Sequence, residues 1–130
     1  MDGRVLADRS GWGLAARASL AAEGMLSAHA LQYQNDPRPE FRGYRDTDYP
    51  SDYGHLYAGD VDTSWHHLSV TVRGDYYMFL VDGRMVVSGY LSSWKAFPGS
   101  GAAGQGCGGV FIRVWSGATV EVRRLRVTPD

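Results

Sequence analysis

An acidic and aromatic segment between Arg45 and His55 carries the residues best suited to bind a ligand. Its carboxylates, Asp46, Asp48 and Asp52, lie at close spacing. Calcium takes about six to eight oxygen ligands, and carboxylates commonly supply them. The segment lacks the complete Asp-x-Asp-x-Asp-Gly pattern of a calcium loop. It therefore predicts either a calcium site or a solvated turn in which the Asp side chains cap the backbone.

Aromatic residues are concentrated in the same part of the chain. Four tyrosines lie between residues 44 and 57, and Trp94 follows in a later loop. Aromatic rings stack on the apolar faces of sugars, while neighbouring Asp, Arg and His side chains hydrogen-bond the hydroxyl groups. The predicted ligand-binding residues are Tyr44, Tyr49, Tyr53, His55 and Trp94, beside the predicted calcium ligands Asp46, Asp48 and Asp52. The alternative is that the tyrosines pack over the rim of the fold.

The carboxylate pattern of a jelly-roll glycoside hydrolase is absent from the sequence. Such enzymes need two carboxyl groups roughly 5 to 10 Å apart. The sequence has three glutamates, Glu23, Glu40 and Glu121, and none has an acidic residue two positions away. The adjacent residues His66 and His67 point to opposite faces of a strand, so they cannot chelate one metal together. We therefore predict no catalytic residues.

Composition narrows the class of protein. The 130 residues fit a single domain, 1–130, and 44% of them are hydrophobic, which is enough for one core. The net charge is −1 and no basic run exceeds Arg123-Arg124, which argues against nucleic-acid binding. No apolar run approaches the roughly 18 residues of a membrane span. The N-terminus does not resemble a signal peptide, and the lone Cys107 has no internal disulfide partner.

Short alternating segments separated by turn residues predict antiparallel β-structure. Asp82-Gly83 lies between two runs of β-branched and aromatic residues, which is a strong hairpin signal because both turn positions must tolerate positive φ. Asp46–Gly54 and Gly89–Gly109 are predicted loops, and Leu20–Ala30 is a predicted connection with a helical turn as the alternative. The predicted strands are Trp12–Ser19, His29–Gln34, Glu40–Arg45, Leu56–Gly59, Trp65–Arg73, Tyr76–Val81, Arg84–Ser88, Val110–Trp115 and Val120–Val127.

Period-two alternation in the later strands predicts the core. Trp12, Trp65 and Trp115 are expected in it as well, because they continue the apolar alternation. The predicted inward positions are Leu68, Val70, Val72, Tyr77, Phe79, Val81, Val110, Ile112, Val114, Val122, Leu125 and Val127.

Several of these segments are similar to known sandwiches. Trp65-His-His-Leu-Ser-Val-Thr-Val-Arg73, Phe79-Leu-Val-Asp-Gly-Arg-Met-Val86, Gly108-Gly-Val-Phe-Ile-Arg-Val-Trp-Ser-Gly117 and Val122-Arg-Arg-Leu-Arg-Val127 resemble the C-terminal half of concanavalin A-like jelly rolls, the laminin G-like and 3-keto-disaccharide-hydrolase-like sandwiches. Gly11-Trp-Gly-Leu-Ala-Ala-Arg-Ala-Ser19 is similar to an early strand of the same fold. The resemblance implies an all-β fold, an antiparallel β-sandwich.

The resemblance also implies a function. It is that of a non-catalytic carbohydrate-binding or laminin G-like recognition module, part of a larger secreted or cell-surface protein. One alternative is an enzyme domain like the 3-keto-disaccharide hydrolases, for which the likeness is one of fold only. The other is a structural domain that assembles with itself.

Two departures from the family pattern bear on assembly. Relatives often carry Asp-Asn where this chain has Arg123-Arg124, and they have one or more strands before the one that contains Trp12. Eleven residues precede Trp12 here. Either Arg4–Asp8 supplies a short strand, or the sandwich is trimmed and keeps an open edge. An open edge is a template for pairing with another chain, so a homo-oligomer is a further expectation.

Overall fold

The computed structural model describes the chain in segments. They are residues 1–6, 11–20, 26–35, 38–46, 51–59, 62–74, 76–90, 109–115 and 117–128, and within them the side chains of 17–20, 26–27, 45–46 and 51–53 are not described. The described residues contain ten strands and no helix.

The strands form two antiparallel sheets of five strands each, in the orders β10-β1-β6-β7-β8 and β5-β4-β3-β2-β9. The first sheet contains Asp2–Val5 (β1), His66–Arg73 (β6), Tyr76–Val81 (β7), Arg84–Tyr90 (β8) and Val120–Arg123 (β10). The second sheet contains Gly11–Leu20 (β2), Leu26–Gln34 (β3), Glu40–Asp46 (β4), Ser51–Tyr57 (β5) and Gly109–Val114 (β9). The all-β sandwich expected from the sequence is therefore confirmed.

The core lies between the two sheets and is formed by alternate residues of the central strands. Trp12, Leu31 and Tyr33 face it from the second sheet, and Leu68 and Phe79 face it from the first. Asp82-Gly83 forms the predicted hairpin turn, with φ of 51° and 75° at its two residues. This pairing fixes the register of β7 and β8 and so directs Phe79 inward.

The structure shows that a short strand does precede the one that contains Trp12, a point that the sequence left open. β1 lies inside the first sheet, between β10 and β6, with Asp2 opposite both Arg123 and His67. A short N-terminal strand is thus present, two residues earlier than predicted. β10 is an edge strand, since it pairs with β1 on one side and with no described strand on the other.

Several strand boundaries differ from the sequence prediction. β3 begins at Leu26, so the second half of the predicted connection Leu20–Ala30 is strand, and β8 continues to Tyr90, two residues into the predicted loop Gly89–Gly109. Ser51–Gly54 lies in a predicted loop but belongs to β5, which pairs with β4 across a register shift at Gly43 and Tyr44. The last strand, predicted to reach Val127, ends at Arg123. Arg124 has a φ of 55°, a left-handed conformation that interrupts the ladder.

The predicted core is correct in the central strands and wrong at one end of the sandwich. Leu68, Tyr77, Phe79 and Val81 are buried, and the half-buried Val70 and Val72 pack against the core. The remaining predicted positions are 38–55% exposed: Val110, Ile112, Val114, Val122, Leu125 and Val127. The first four lie on β9 and β10, which are edge strands of their sheets, and the last two lie beyond β10. Alternation identifies the inner face of a strand, but it does not show whether that face is covered.

Candidate functional site

The outer face of the second sheet, which points away from the core, carries two rows of polar and aromatic residues across the strands. The first row contains His55, Arg42, Gln32, Gly13 and Arg113, one from each of β5, β4, β3, β2 and β9. The second row contains Tyr57, Glu40, Gln34 and Gly11. Trp115 continues it, because its backbone N–H donates to the carbonyl of Gly11 at 3.0 Å.

The floor of this face is a buried chain of hydrogen bonds. Gln32 Nε2 donates to Gln34 Oε1 at 3.1 Å, and Gln34 Nε2 donates to Glu40 Oε1 at 2.8 Å. Gln32, Gln34 and Glu40 are 1%, 5% and 3% exposed. Tyr44, also buried, donates from its hydroxyl to Gln32 Oε1 at 2.6 Å. Each of these polar groups is therefore satisfied by its neighbours, as buried groups must be.

A second layer of side chains lies above the floor and reaches solvent. His55 Nδ1 lies 3.0 Å from Glu40 Oε2, and the exposed Arg38 has its Nε 3.7 Å from the same oxygen. Arg38 also donates to the Tyr57 hydroxyl at 2.5 Å, with its guanidinium over the Tyr57 ring. Arg113 donates to the Tyr44 hydroxyl. The floor thus orients the exposed groups, which is the arrangement of a preorganised binding site.

Trp115 supplies a flat aromatic surface at one end of the face. The indole ring lies against Gly11, where a Cβ would come within 2.9 Å of it, so only glycine leaves room for this position. Its Nε1 donates to Gln32 Oε1 at 3.3 Å, which fixes the orientation of the ring over the sheet. The residue is 42% exposed. The prediction that Trp115 is core is therefore wrong, because Val114 faces inward and the next residue faces outward.

The other two tryptophans assigned to the core differ from each other. Trp12 is buried, as predicted. Trp65 is half-buried and lies outside the core, so its prediction as a core residue is wrong. The guanidiniums of Arg4 and Arg123 lie over its ring at 5.0 and 4.0 Å from the centroid.

The β4–β5 hairpin brings two of the predicted site residues to this outer face. His55 belongs to the exposed layer. Tyr44 belongs to the buried floor, where its hydroxyl donates a hydrogen bond to Gln32 and accepts one from Arg113. Tyr53, Asp46 and Asp52 lie on β4 or β5, but their side chains are not described. Tyr49, Asp48 and Trp94 lie outside the described residues, as does Cys107. Ligand contact by these residues stays a prediction.

Sequence reasoning missed most of the floor and one end of the face. Gln32 and Gln34 alternate with Leu31 and Tyr33, and such a pattern ordinarily means a solvated strand face. The available signal was that two outward residues of β3, Gln32 and Gln34, are long amides rather than charged side chains. Burial of Glu40 depends on Gln34, His55 and Arg38 from three different segments.

The polar groups around β6 form a separate set on the first sheet. His66 lies between two carboxylates, with Nδ1 2.7 Å from Asp82 Oδ2 and Nε2 2.8 Å from Asp62 Oδ2. Burial raises the pKa of the Asp62 carboxyl, but hydrogen bonds from Ser64 and the nearby His66 outweigh it, and the pKa is lowered. These contacts tie the segment before β6 to the β7–β8 turn.

The neighbouring histidine faces the other way, as the sequence predicted. His67 Nδ1 lies 2.7 Å from Asp2 Oδ1 on the outer face of the first sheet. The hydrogen bond from His67 lowers the pKa of Asp2, and Arg124 and Arg123 lower it further against the opposing effect of burial. On the inner side, burial raises the pKa of Tyr33, whose hydroxyl accepts a bond from the Asp62 backbone N–H at 3.0 Å.

Two negative findings apply to the described part of the chain. No three His, Cys, Asp or Glu side chains there are placed to hold a metal ion. No helix there has the length and hydropathy needed to cross a membrane.

Comparisons with known proteins identify the fold. No protein-family model matches the chain. No curated protein matches it either. Among solved structures, the carbohydrate-binding module CBM66 from Bacillus subtilis is similar, with a TM-score of 0.55 and 14% identity over 68% of this chain. The match covers 55% of that module, so the chain spans about half of its length. At this identity the likeness shows that the two share a sandwich fold.

Proposed function

We propose that this chain is a non-catalytic carbohydrate-recognition domain that binds a glycan on the outer face of the second sheet. The observation that carries the proposal is the layered site, in which exposed aromatic and cationic groups rest on a buried hydrogen-bonded floor. The fold supports it, because a similar sandwich is a carbohydrate-binding module. Sugar recognition needs flat apolar surfaces together with fixed donors and acceptors, and this face offers both.

Each group has a role in such binding. The exposed side of the Trp115 ring would stack against the apolar face of a sugar, and Tyr57 would contact the glycan at the opposite end of its row. Between them, Arg42, Arg113 and His55 would donate hydrogen bonds to hydroxyl oxygens. Gln32, Gln34 and Glu40 are already paired with each other, so they hold these groups in place rather than contact the ligand.

The experiment is a glycan array followed by titration of the best ligand, with Trp115→Ala compared with the unmodified chain. Loss of this aromatic contact should weaken binding about tenfold or more. The matched control is Tyr90→Ala, which removes an exposed aromatic residue from the first sheet. The proposal fails if no glycan binds, or if Trp115→Ala and Tyr90→Ala bind as well as the unmodified chain while their thermal unfolding is unchanged.

The calcium hypothesis for Asp46, Asp48 and Asp52 is decided by the same titration with added calcium and with a chelator. Asp46 lies two residues after Tyr44 on β4 and Asp52 lies opposite Tyr44 on β5, so an ion bound by them would adjoin the proposed glycan face. Binding that requires calcium, and is lost in Asp48→Asn, supports the ion. Equal binding in both solutions would remove calcium from the proposal and leave the glycan face intact.

A further inference from the structure

Apolar side chains are exposed together at one end of the sandwich. Ile112 and Val114 on β9 and Val122 on β10 belong to the inner faces of their sheets, yet they are 38%, 49% and 41% exposed. β2 packs on β6, and at the other end β5 packs on β8. The edge strands β9 and β10 therefore end the sandwich at the same side.

Backbone N–H and C=O groups on the free side of β10 are available to form hydrogen bonds with another strand. Thr119 uses its carbonyl to accept a bond from the Leu6 N–H at 3.0 Å, so it points toward β1. Backbone groups alternate in direction along an antiparallel strand. The N–H and C=O groups of Val120 and Val122 therefore point away from β1, toward the free edge. No described strand lies on that side.

We propose that a second copy of this chain pairs with β10 in an antiparallel manner, about a two-fold axis at Val122. In this register Val122 faces Val122 of the second copy, and each donates a backbone hydrogen bond to the other. The two five-stranded sheets then form one sheet of ten strands. The apolar end of each sandwich approaches that of the other copy, which covers side chains that are exposed in one chain. Such an interface uses the same surface on both copies, as two-fold symmetry requires.

Charge complementarity selects this register. With Val122 on the axis, Glu121 lies opposite Arg123 of the second copy, and the reverse pair forms across the axis. Within each chain Glu121 already pairs with Arg4 at 2.6 Å, and Arg123 lies 3.3 Å from Asp2. The outer face of the joined sheet therefore carries alternating positive and negative side chains across the axis.

The neighbouring registers are unfavourable. An axis at Glu121 would place two glutamates opposite each other, and an axis at Arg123 would place two arginines opposite each other, which is destabilising. Both would also centre the pair on residues whose backbone groups point toward β1. The net charge of −1 adds little general repulsion between copies.

The test measures association by sedimentation velocity over a range of protein concentrations. The unmodified chain should dimerise. Glu121→Arg and Arg123→Glu, each alone, place like charges opposite each other and should dimerise about tenfold or more weakly. An equimolar mixture of the two variants should recover association as a heterodimer, because the introduced arginine of one copy then faces the introduced glutamate of the other. The control is Arg84→Glu, which reverses a charge on β8 at the far edge of the same sheet and should dimerise normally.

A second measurement does not depend on the charged residues. In a Cys107→Ser background, Val122→Cys places two thiols on the axis with Cα atoms about 5.5 Å apart, within reach of a disulfide. Oxidation should yield a covalent dimer from Val122→Cys and little from Val120→Cys, which lies off the axis. The proposal is overturned if the unmodified chain is monomeric at every concentration, if the mixed variants fail to associate, or if the two cysteine variants cross-link equally.

Discussion

The outer faces of the two sheets carry similar residue types but hold them differently. On the second sheet, a carboxylate and two amides are buried beneath exposed rings and guanidiniums. On the first sheet, Asp2 is buried beneath His67 and Arg123, but other charged groups pair with one another at the surface, as Arg4 and Glu121 do with side chains 35% and 45% exposed. Burying Glu40 with Gln32 and Gln34 removes polar groups from water, a cost that hydrogen bonds only partly offset.

The buried polar network of the second sheet lowers stability relative to an apolar surface, whereas the surface ion pairs of the first sheet have little effect. Surface ion pairs contribute little and fix little geometry. A buried polar network contributes less to stability than an apolar surface of the same size would, but it orients every group that touches it. The second sheet therefore has the character of a binding surface, and the first has the character of a solvated sheet face.

The largest expected change in the free energy of unfolding comes from a substitution in the core between the two sheets. It is the reference for the smaller changes expected at the outer faces. Phe79 on β7 is fully buried and faces Gly43 on β4 across the sheets. Phe79→Ala should lower the free energy of unfolding by about 3–5 kcal/mol, because it leaves a cavity that the sheets cannot close. Chemical denaturation measures this. Leu80→Ala, the adjacent outward position, should cost clearly less, and equal costs would show that the inner and outer faces are misassigned.

A smaller change in the free energy of unfolding is expected from substitutions on the two outer faces, and it tests the difference between them directly. Glu40→Ala leaves the Gln34 amide and His55 without their carboxylate partner and should cost about 1–3 kcal/mol. Glu121→Ala removes a surface partner of Arg4 and should cost about 1 kcal/mol or less. Both are measured by denaturation at a concentration too low for association. If the two substitutions cost the same, the floor of the second sheet is not a stabilised network, and the proposed site loses its support.

The smallest effect appears in acid and belongs to the carboxylates around β6. The pKa values of Asp2 and Asp62 are lower in the folded chain than their ordinary values. Their contribution to stability is therefore present above about pH 4 and is lost as the pH falls through the folded pKa values. Thermal unfolding between about pH 5 and pH 2 should show a shallower decline in Asp2→Asn and Asp62→Asn than in the unmodified chain. A decline as steep as that of the unmodified chain would mean that these contacts do not persist in solution.

Alternation and turn chemistry were enough to predict much of the fold. Leu68 to Val72 and Asp82-Gly83 specify strands, face and hairpin by local rules, and the structure follows them. The ends of the sandwich were not predictable in this way. Ile112 has the pattern of a core residue, but its exposure depends on which strand lies opposite, and a local pattern does not contain that information.

The candidate site was predictable only where it coincides with a concentrated segment. Tyr44 and His55 stood out because tyrosine and aspartate cluster around them. Gln32 is far in sequence from Arg113 and Trp115, and it lies near them only because β3 and β9 flank β2. A site assembled across strands in this way depends on the strand order, which becomes clear from the sheet rather than from the residues.

The position of β1 has a consequence for how the chain folds. Its four residues pair with β10 on one side and, through Asp2 and Gly3, with β6 on the other, so its longer ladder cannot form until β10 has been made. During synthesis, β1 leaves the ribosome well before the strand that completes its pairing. Such distant pairing slows folding toward milliseconds to seconds. Until β10 is made, β1 presents an unpaired edge, and a nascent chain in that interval is exposed to aggregation.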